Sequence, residues 1–328
     1  MMKKPGPFDG IIPLSIERSE EAARMNPSAS RSRRDFLKVV GACALAATSG
    51  EGFQKTAKRR LKIGHTGITW PGKDTTEQAI TDIAGLGYHG FETFGSTLEW
   101  WENQKGGIGP ILEKYKLPLI SAYCGIDLID PAKTDAGIAD MVKWTKLLKK
   151  YGGKAVVIGP GGVQRNSYNF KEHKEFIVKT LNKVGKVISD LGAVGCVHQH
   201  TGTAIESQEE VYAVMNEVNT EYVKFGPDIG QLAKGGADPV KIVKDFLPII
   251  KHVHIKDYKG GETGYEGYVP LGQGVIDMPT IMDLLEKSDF AGVAMVELDG
   301  TSRAPQPPLE AARISKAYLV KLGYEFKV

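Results

Sequence analysis

The chain has 328 residues, 41% hydrophobic and 25% charged, which excludes a disordered or fibrous protein and supplies ample material for a core. Its formal charge of +3 is unevenly spread: residues 1–60 hold 12 Lys and Arg against 6 Asp and Glu, and the rest hold 30 against 33. The body is therefore net −3, which removes the main support for a nucleic-acid-binding protein.

Residues 1–60 read as a leader and linker. Ser32-Arg33-Arg34-Asp35-Phe36-Leu37-Lys38 precedes the weakly apolar run VVGACALAAT, with small-residue cleavage positions at Ala44-Leu45-Ala46. A basic pair, a modest apolar core and small residues form a twin-arginine export signal, so the expected location is the periplasm. The bland alternative is a chance Arg pair before a short helix. No later stretch is apolar for long enough to span a bilayer, so no stable membrane insertion is expected.

From residue 61 onward the pattern alternates strand and helix eight times. Strands are expected over 61–68, 89–94, 118–124, 154–159, 193–200, 222–228, 251–257 and 292–298, each an apolar run of the kind parallel strands show when buried on both faces. Among the intervening helices, DTTEQAITDIAGLGY repeats apolar residues at three- and four-residue spacing and places Gly87 as a C-terminal cap. FKEHKEFIVKTLNKVGKVISDLG ends at Gly192. ADPVKIVKDFLPII opens with Asp238 as N-cap and Pro239 in its first turn. Eight strand–helix units in about 265 residues imply a single (β/α)8 TIM barrel over 61–328. An open doubly wound sheet is the runner-up, but the first unit has no G-x-G-x-x-G phosphate turn. Cys124 and Cys196, the two body cysteines, both fall in strands and are expected as buried free thiols. The segment after the seventh strand, KGGETGYEGYVPLGQGVID, is long for a compact domain and suits a cover over the substrate; a passive loop would look the same.

Four potential ligands end consecutive strands in the second half: His198, Asp228, His254 and Glu297. Barrel enzymes draw catalytic groups from those strand ends, and two imidazoles with two carboxylates make a hard-to-borderline divalent site. Mn2+ is the first expectation, with Co2+, Zn2+ or Mg2+ as alternatives. A lone strand histidine is more often a packed residue than a ligand, and Asp228 could merely cap the next turn. Glu297 closes a fully apolar strand, where a carboxylate is costly unless paired or metal-bound. Strand alternation puts His198 and His200 on one face, and likewise His252 and His254. His200 is therefore a substrate or proton-transfer candidate that could exchange roles with His198. Glu92 is a substrate-hydroxyl or general-base candidate expected across the barrel from the metal. Lys256 is either an oxyanion stabiliser or a salt-bridged structural residue.

These residues fall in segments that resemble the xylose-isomerase-like superfamily, and within it inosose dehydratases. His198-Gln199-His200-Thr201-Gly202-Thr203 matches H-x-H-x-G-T, Val253-His254-Ile255-Lys256-Asp257 matches V-H-L-K-D, and Val269-Pro270-Leu271-Gly272-Gln273-Gly274 approximates V-P-G-x-G. Val296-Glu297 followed by Pro308-Leu309-Glu310 resembles the terminal V-E then P-L-E. Two departures stand out. His198 replaces the superfamily's usual fifth-strand glutamate, and Gln231 stands where D-x-G-H has its histidine. The resemblance implies a metal-dependent carbohydrate enzyme, and the loss of one ligand carboxylate favours elimination or hydration over epimerisation.

The expected reaction is dehydration of a keto sugar, keto-glycoside derivative or keto-cyclitol, or the reverse hydration, through an enolate. Glu297, Glu92 and His200 are the acid and base candidates, in an order the sequence leaves open. A keto-sugar isomerase or epimerase is the alternative, a non-catalytic sugar-binding protein a further one, and an abasic-site nuclease a distant third. The expected partner is a small keto sugar; an oligomer is compatible with the sequence.

Overall fold

The computed structural model describes residues 59–261, 266–299 and 306–328, so all but the last two residues of the expected leader and linker lie outside the described residues. The strands are β1 (Lys62–Thr66), β2 (Phe91–Phe94), β3 (Leu119–Ile126), β4 (Ala155–Pro160), β5 (Val194–Val197), β6 (Val223–Phe225), β7 (Val253–Ile255), β8 (Asp257–Tyr258), β9 (Tyr268–Val269) and β10 (Val293–Val296). Eight of them pair in parallel in the order β6-β5-β4-β3-β2-β1-β10-β7. Parallel bridges Phe225–Ile250 and Asp228–His254 join the two ends, and His254 N–H donates to Pro227 O at 3.0 Å. The sheet thus closes into the expected α/β TIM barrel.

Helices α1 (Thr76–Gly85), α2 (Gly95–Lys105), α3 (Gly109–Lys114), α4 (Thr134–Lys150), α5 (Phe170–Asp190), α6 (Gln208–Met215), α7 (Ile229–Lys234), α8 (Pro239–Phe246), α9 (Met278–Lys287) and α10 (Pro308–Lys321) alternate with the strands. Their apolar spacing decides which side faces the barrel. α5 buries Ile177, Leu181, Val184 and Ile188, a three- and four-residue repeat. The expected punctuation is present. Asp238 accepts from Lys241 N–H at the start of α8, with Pro239 following. Gly87 adopts φ +79°, and a Cβ there would lie 2.2 Å from Lys327 O, so both conformation and space require glycine. Cys124 and Cys196 are buried free thiols, and burial pushes the Cys196 thiol up to about 12.

Every expected strand occurs, but those near the site are shorter than the apolar runs suggest. The β5 ladder continues with His198 N–H on Ile158 O, but His200 N–H turns to Ile205 O within its own loop. β6 stops before Pro227, which has no N–H to give, and Asp228 then caps α7 through Gln231 N–H. The long segment after β7 is also more ordered than a free cover. β8 and β9 pair antiparallel, and the Asp257 carboxylate accepts from Gly272 N–H and Gly274 N–H, each at 2.9 Å. That carboxylate leaves no room for a side chain at Gly274, where a Cβ would lie 2.0 Å from Asp257 Oδ1.

Candidate metal centre and active site

Each site residue is set by a strand end. On β7 and its extension, His252, His254 and Lys256 alternate with Val253 and Ile255; all five are buried. His198 follows β5, Asp228 follows β6, and Glu297 and Asp299 follow β10 at alternate positions. The four expected ligands converge. His254 Nδ1 lies 3.5 Å from Glu297 Oε2 and 3.8 Å from Asp228 Oδ2. His198 Nε2 lies 4.0 Å from Asp228 Oδ2, and the His198 and His254 rings meet edge-on at 4.8 Å. His198, Asp228 and His254 form one group able to hold a metal, and Asp228, Glu297 and Asp299 another.

Three buried atoms in this cluster have no hydrogen-bond partner among the described residues: His198 Nδ1, His254 Nδ1 and Glu297 Oε2. Buried polar atoms are normally satisfied, since leaving one unpaired costs about 1–3 kcal/mol. An unpartnered imidazole nitrogen such as His254 Nδ1, next to the Glu297 and Asp228 carboxylates, is what a divalent ion would complete, so these residues fit the expected group. Asp228 serves twice: Oδ1 caps α7 and Oδ2 faces the cluster. The capping and ligand readings of this residue are thus compatible.

Lys256 is the site's fixed cation. Its fully buried Nζ donates to Asp228 Oδ2 at 2.7 Å, Glu297 Oε1 at 2.8 Å and Asp299 Oδ2 at 2.5 Å. Burial works against the charge, but the three carboxylates win and hold the ammonium well above its ordinary value. For Asp299, burial is outweighed by Lys256 and His200, which keep its carboxyl far below the usual range. Burial holds the Glu297 carboxyl up, against the pull of His254 and Lys256. His198 is kept neutral by burial and by His254 beside it. His254 is raised to about 9, because Glu297 and Glu92 outweigh its own desolvation.

His200 stands beside the cluster rather than in it. Gln231 Nε2 donates to His200 Nε2 at 2.8 Å and to Asp299 Oδ2 at 2.7 Å. The amide is oriented by Thr201 Oγ and Tyr268 OH, which both donate to Gln231 Oε1. His200 keeps 21% of its side chain exposed and lies 3.7 Å from Asp299, whose charge raises it against burial. Glu92 differs from expectation. It does not face the cluster from across an open barrel: it is fully buried, 2.7 Å from His254 Nε2 and 3.0 Å from His252 Nε2, and it accepts from Ser121 Oγ.

Sequence reasoning missed Asp299 and Tyr268. Asp299 sits two residues beyond Glu297, so strand alternation was a usable signal. Tyr268 had none, since β9 brings it over Lys256, with Nζ 5.1 Å from the ring centroid. The sequence model described as xylose isomerase-like TIM barrel matches residues 80–322. The chain belongs to this family. Proteins similar to it include the inosose dehydratase of Clostridium botulinum, 25% identical over 79% of this chain and 96% of that one. Among solved structures, the 3-keto-D-glucoside 4-epimerase YcjR of E. coli superposes with a TM-score of 0.61 at 17% identity, covering 80% of this chain and 99% of that one. The IOLI protein, solved with a zinc atom, superposes with a TM-score of 0.65 at 18% identity, covering 80% and 98%. At those identities the two structures speak for the fold alone.

Proposed function

We propose that this xylose isomerase-like barrel is a divalent-metal-dependent hydro-lyase for a keto-cyclitol, keto sugar or keto-glycoside derivative. The observation that carries the reading is the convergence of His198, Asp228, His254 and Glu297, with His254 Nδ1 and Glu297 Oε2 both unpartnered 3.5 Å apart and His198 Nε2 4.0 Å from Asp228 Oδ2. Similarity to inosose dehydratases supports the substrate class and the loss of water. The proposed ligands are His198, Asp228, His254 and Glu297, with Mn2+ as the first choice of metal. When bound, the cation supplies Lewis acidity that polarises a ketone oxygen and makes the neighbouring C–H acidic.

The chain's own groups supply the proton traffic. The cluster gathers more carboxylates than cations, and Lys256, with its three N–H bonds on Asp228, Glu297 and Asp299, holds those carboxylates in place with a charge that does not titrate away near neutral pH. Glu297, whose carboxyl is held up by burial, takes the α-proton. In its protonated form His200, accessible and 3.7 Å from Asp299, gives a proton to the departing β-hydroxyl, which leaves as water. Such positioned acid–base help contributes about 10²–10⁴-fold in rate. Incubation with 2-keto-inositol and 3-keto-glucose derivatives, followed by mass spectrometry, tests the reading. Loss of one water supports the hydro-lyase; an isomer of unchanged mass identifies a keto-sugar isomerase or epimerase instead. A non-catalytic sugar binder would show sugar affinity and full thermal stability without stoichiometric metal.

We also propose that residues 1–60 direct the folded protein to the periplasm. Among the described residues no helix is long and apolar enough to cross a membrane. Replacing Arg33 and Arg34 by Lys should leave the protein in the cytoplasm, and unchanged export refutes the twin-arginine reading.

A further inference from the structure

Resting on the metal-site reading, we propose that Glu92 is the positioning residue that presents His254 to a divalent cation through Nδ1. Glu92 comes from β2, on a different part of the barrel wall from β7, and its side chain is fully buried in the interior. A carboxylate in such a place is costly unless its oxygens are engaged, and here both are. Oε1 lies 2.7 Å from His254 Nε2, while Oε2 accepts from Ser121 Oγ and lies 3.0 Å from His252 Nε2. Ser121 stands opposite Glu92 in the β2–β3 register, so the serine is delivered by strand pairing.

The consequence lies on the other edge of the imidazole. A ring that donates Nε2–H to a carboxylate leaves Nδ1 as the nitrogen free to ligate. That nitrogen has no hydrogen-bond partner among the described residues and faces Glu297 Oε2 at 3.5 Å and Asp228 Oδ2 at 3.8 Å. Turning the ring over would break the bond to Glu92 and strand a buried carboxylate oxygen, so ring orientation is locked before any ion arrives. Carboxylate partners behind a ligand histidine are worth about 10–100-fold in metal affinity. Glu92 thus acts through His254, out of reach of substrate.

The test is calorimetric titration of Mn2+ and of Zn2+ into the full chain and into Glu92→Gln, Glu92→Leu and Ser121→Ala, with far-UV circular dichroism to check folding. Glu92→Leu should bind each metal 10–100-fold more weakly. Glu92→Gln should fall between it and the parent, because its amide oxygen still accepts Nε2–H. Nitrogen-15 NMR of the zinc-loaded parent should show His254 ligated through Nδ1 with Nε2–H retained, a readout that holds even if the leucine variant fails to fold. Folded Glu92 variants with the parent's affinity, or zinc on His254 Nε2, would overturn the positioning role while the metal site stands. A parent that binds neither metal would overturn both.

Discussion

Lys256→Met should be among the most destabilising conservative substitutions in the barrel, although methionine nearly matches the lysine stem in length. The ammonium is fully buried and contacts Asp228 at 2.7 Å, Glu297 at 2.8 Å and Asp299 at 2.5 Å. Removing one partner from a buried ion pair typically costs about 3–5 kcal/mol, because the other charge stays behind uncompensated. Three carboxylates lose their shared cation here, so the upper end of that range is expected at neutral pH. For a domain of this size that corresponds to a fall of roughly 10 °C or more in melting temperature. The pH dependence carries the diagnostic sign. With lysine present, the Asp299 carboxyl is held far below its ordinary value, so its contribution exists above the unfolded value and is lost only in strong acid. In the methionine variant the unpaired carboxylates should titrate above their unfolded values, so lowering the pH neutralises them and stabilises the variant. The gap between parent and variant in urea denaturation, with chelator present, should therefore narrow from pH 8 to pH 5. A deficit below about 1 kcal/mol at neutral pH, or a gap that widens on acidification, would refute the charge argument.

Fully buried His65 is pushed down to about 4 by desolvation. Above its unfolded value of 6.5 it costs nothing; between pH 6.5 and 4 the unfolded state gains the proton, so about 3 kcal/mol of stability should drain away. His65→Phe, packed between Trp70 and Tyr88, should flatten that slope in acid denaturation; an unchanged slope assigns the acid lability elsewhere. Gly274→Ala forces a Cβ against the Asp257 carboxylate and should cost about 1–3 kcal/mol while exposing the β8–β9 segment to limited proteolysis. The two neighbouring histidines should separate cleanly. His198→Asn should lose stoichiometric metal in elemental analysis, whereas His200→Asn should keep it and lose about 10²–10⁴-fold in kcat; the reverse pattern would exchange their roles.

Strand and helix order was legible because parallel strands buried on both faces must be apolar throughout, while helices on the outer layer must repeat every three to four residues. Those constraints are local, so all eight strands and the caps at Gly87 and Asp238 could be read without knowing what packs against what. His198, Asp228, His254 and Glu297 were also legible, because a polar residue closing an apolar strand in a barrel has only the C-terminal rim to occupy. What tertiary structure decided is how the rim is shared. Lys256 lies between three carboxylates from two separate strand ends, those of β6 and β10, a distance relation that no spacing along the chain contains. Asp299 joins through that lysine, and Tyr268 through a hairpin folded back by Asp257. Glu92 shows the limit most clearly. Its strand-end position looked like that of a residue open to substrate, but closing the sheet sets β2 interior groups against β7 interior groups, and the carboxylate is sealed beneath His254. Local sequence determines which face a side chain takes; only ring closure determines which side chain it meets there.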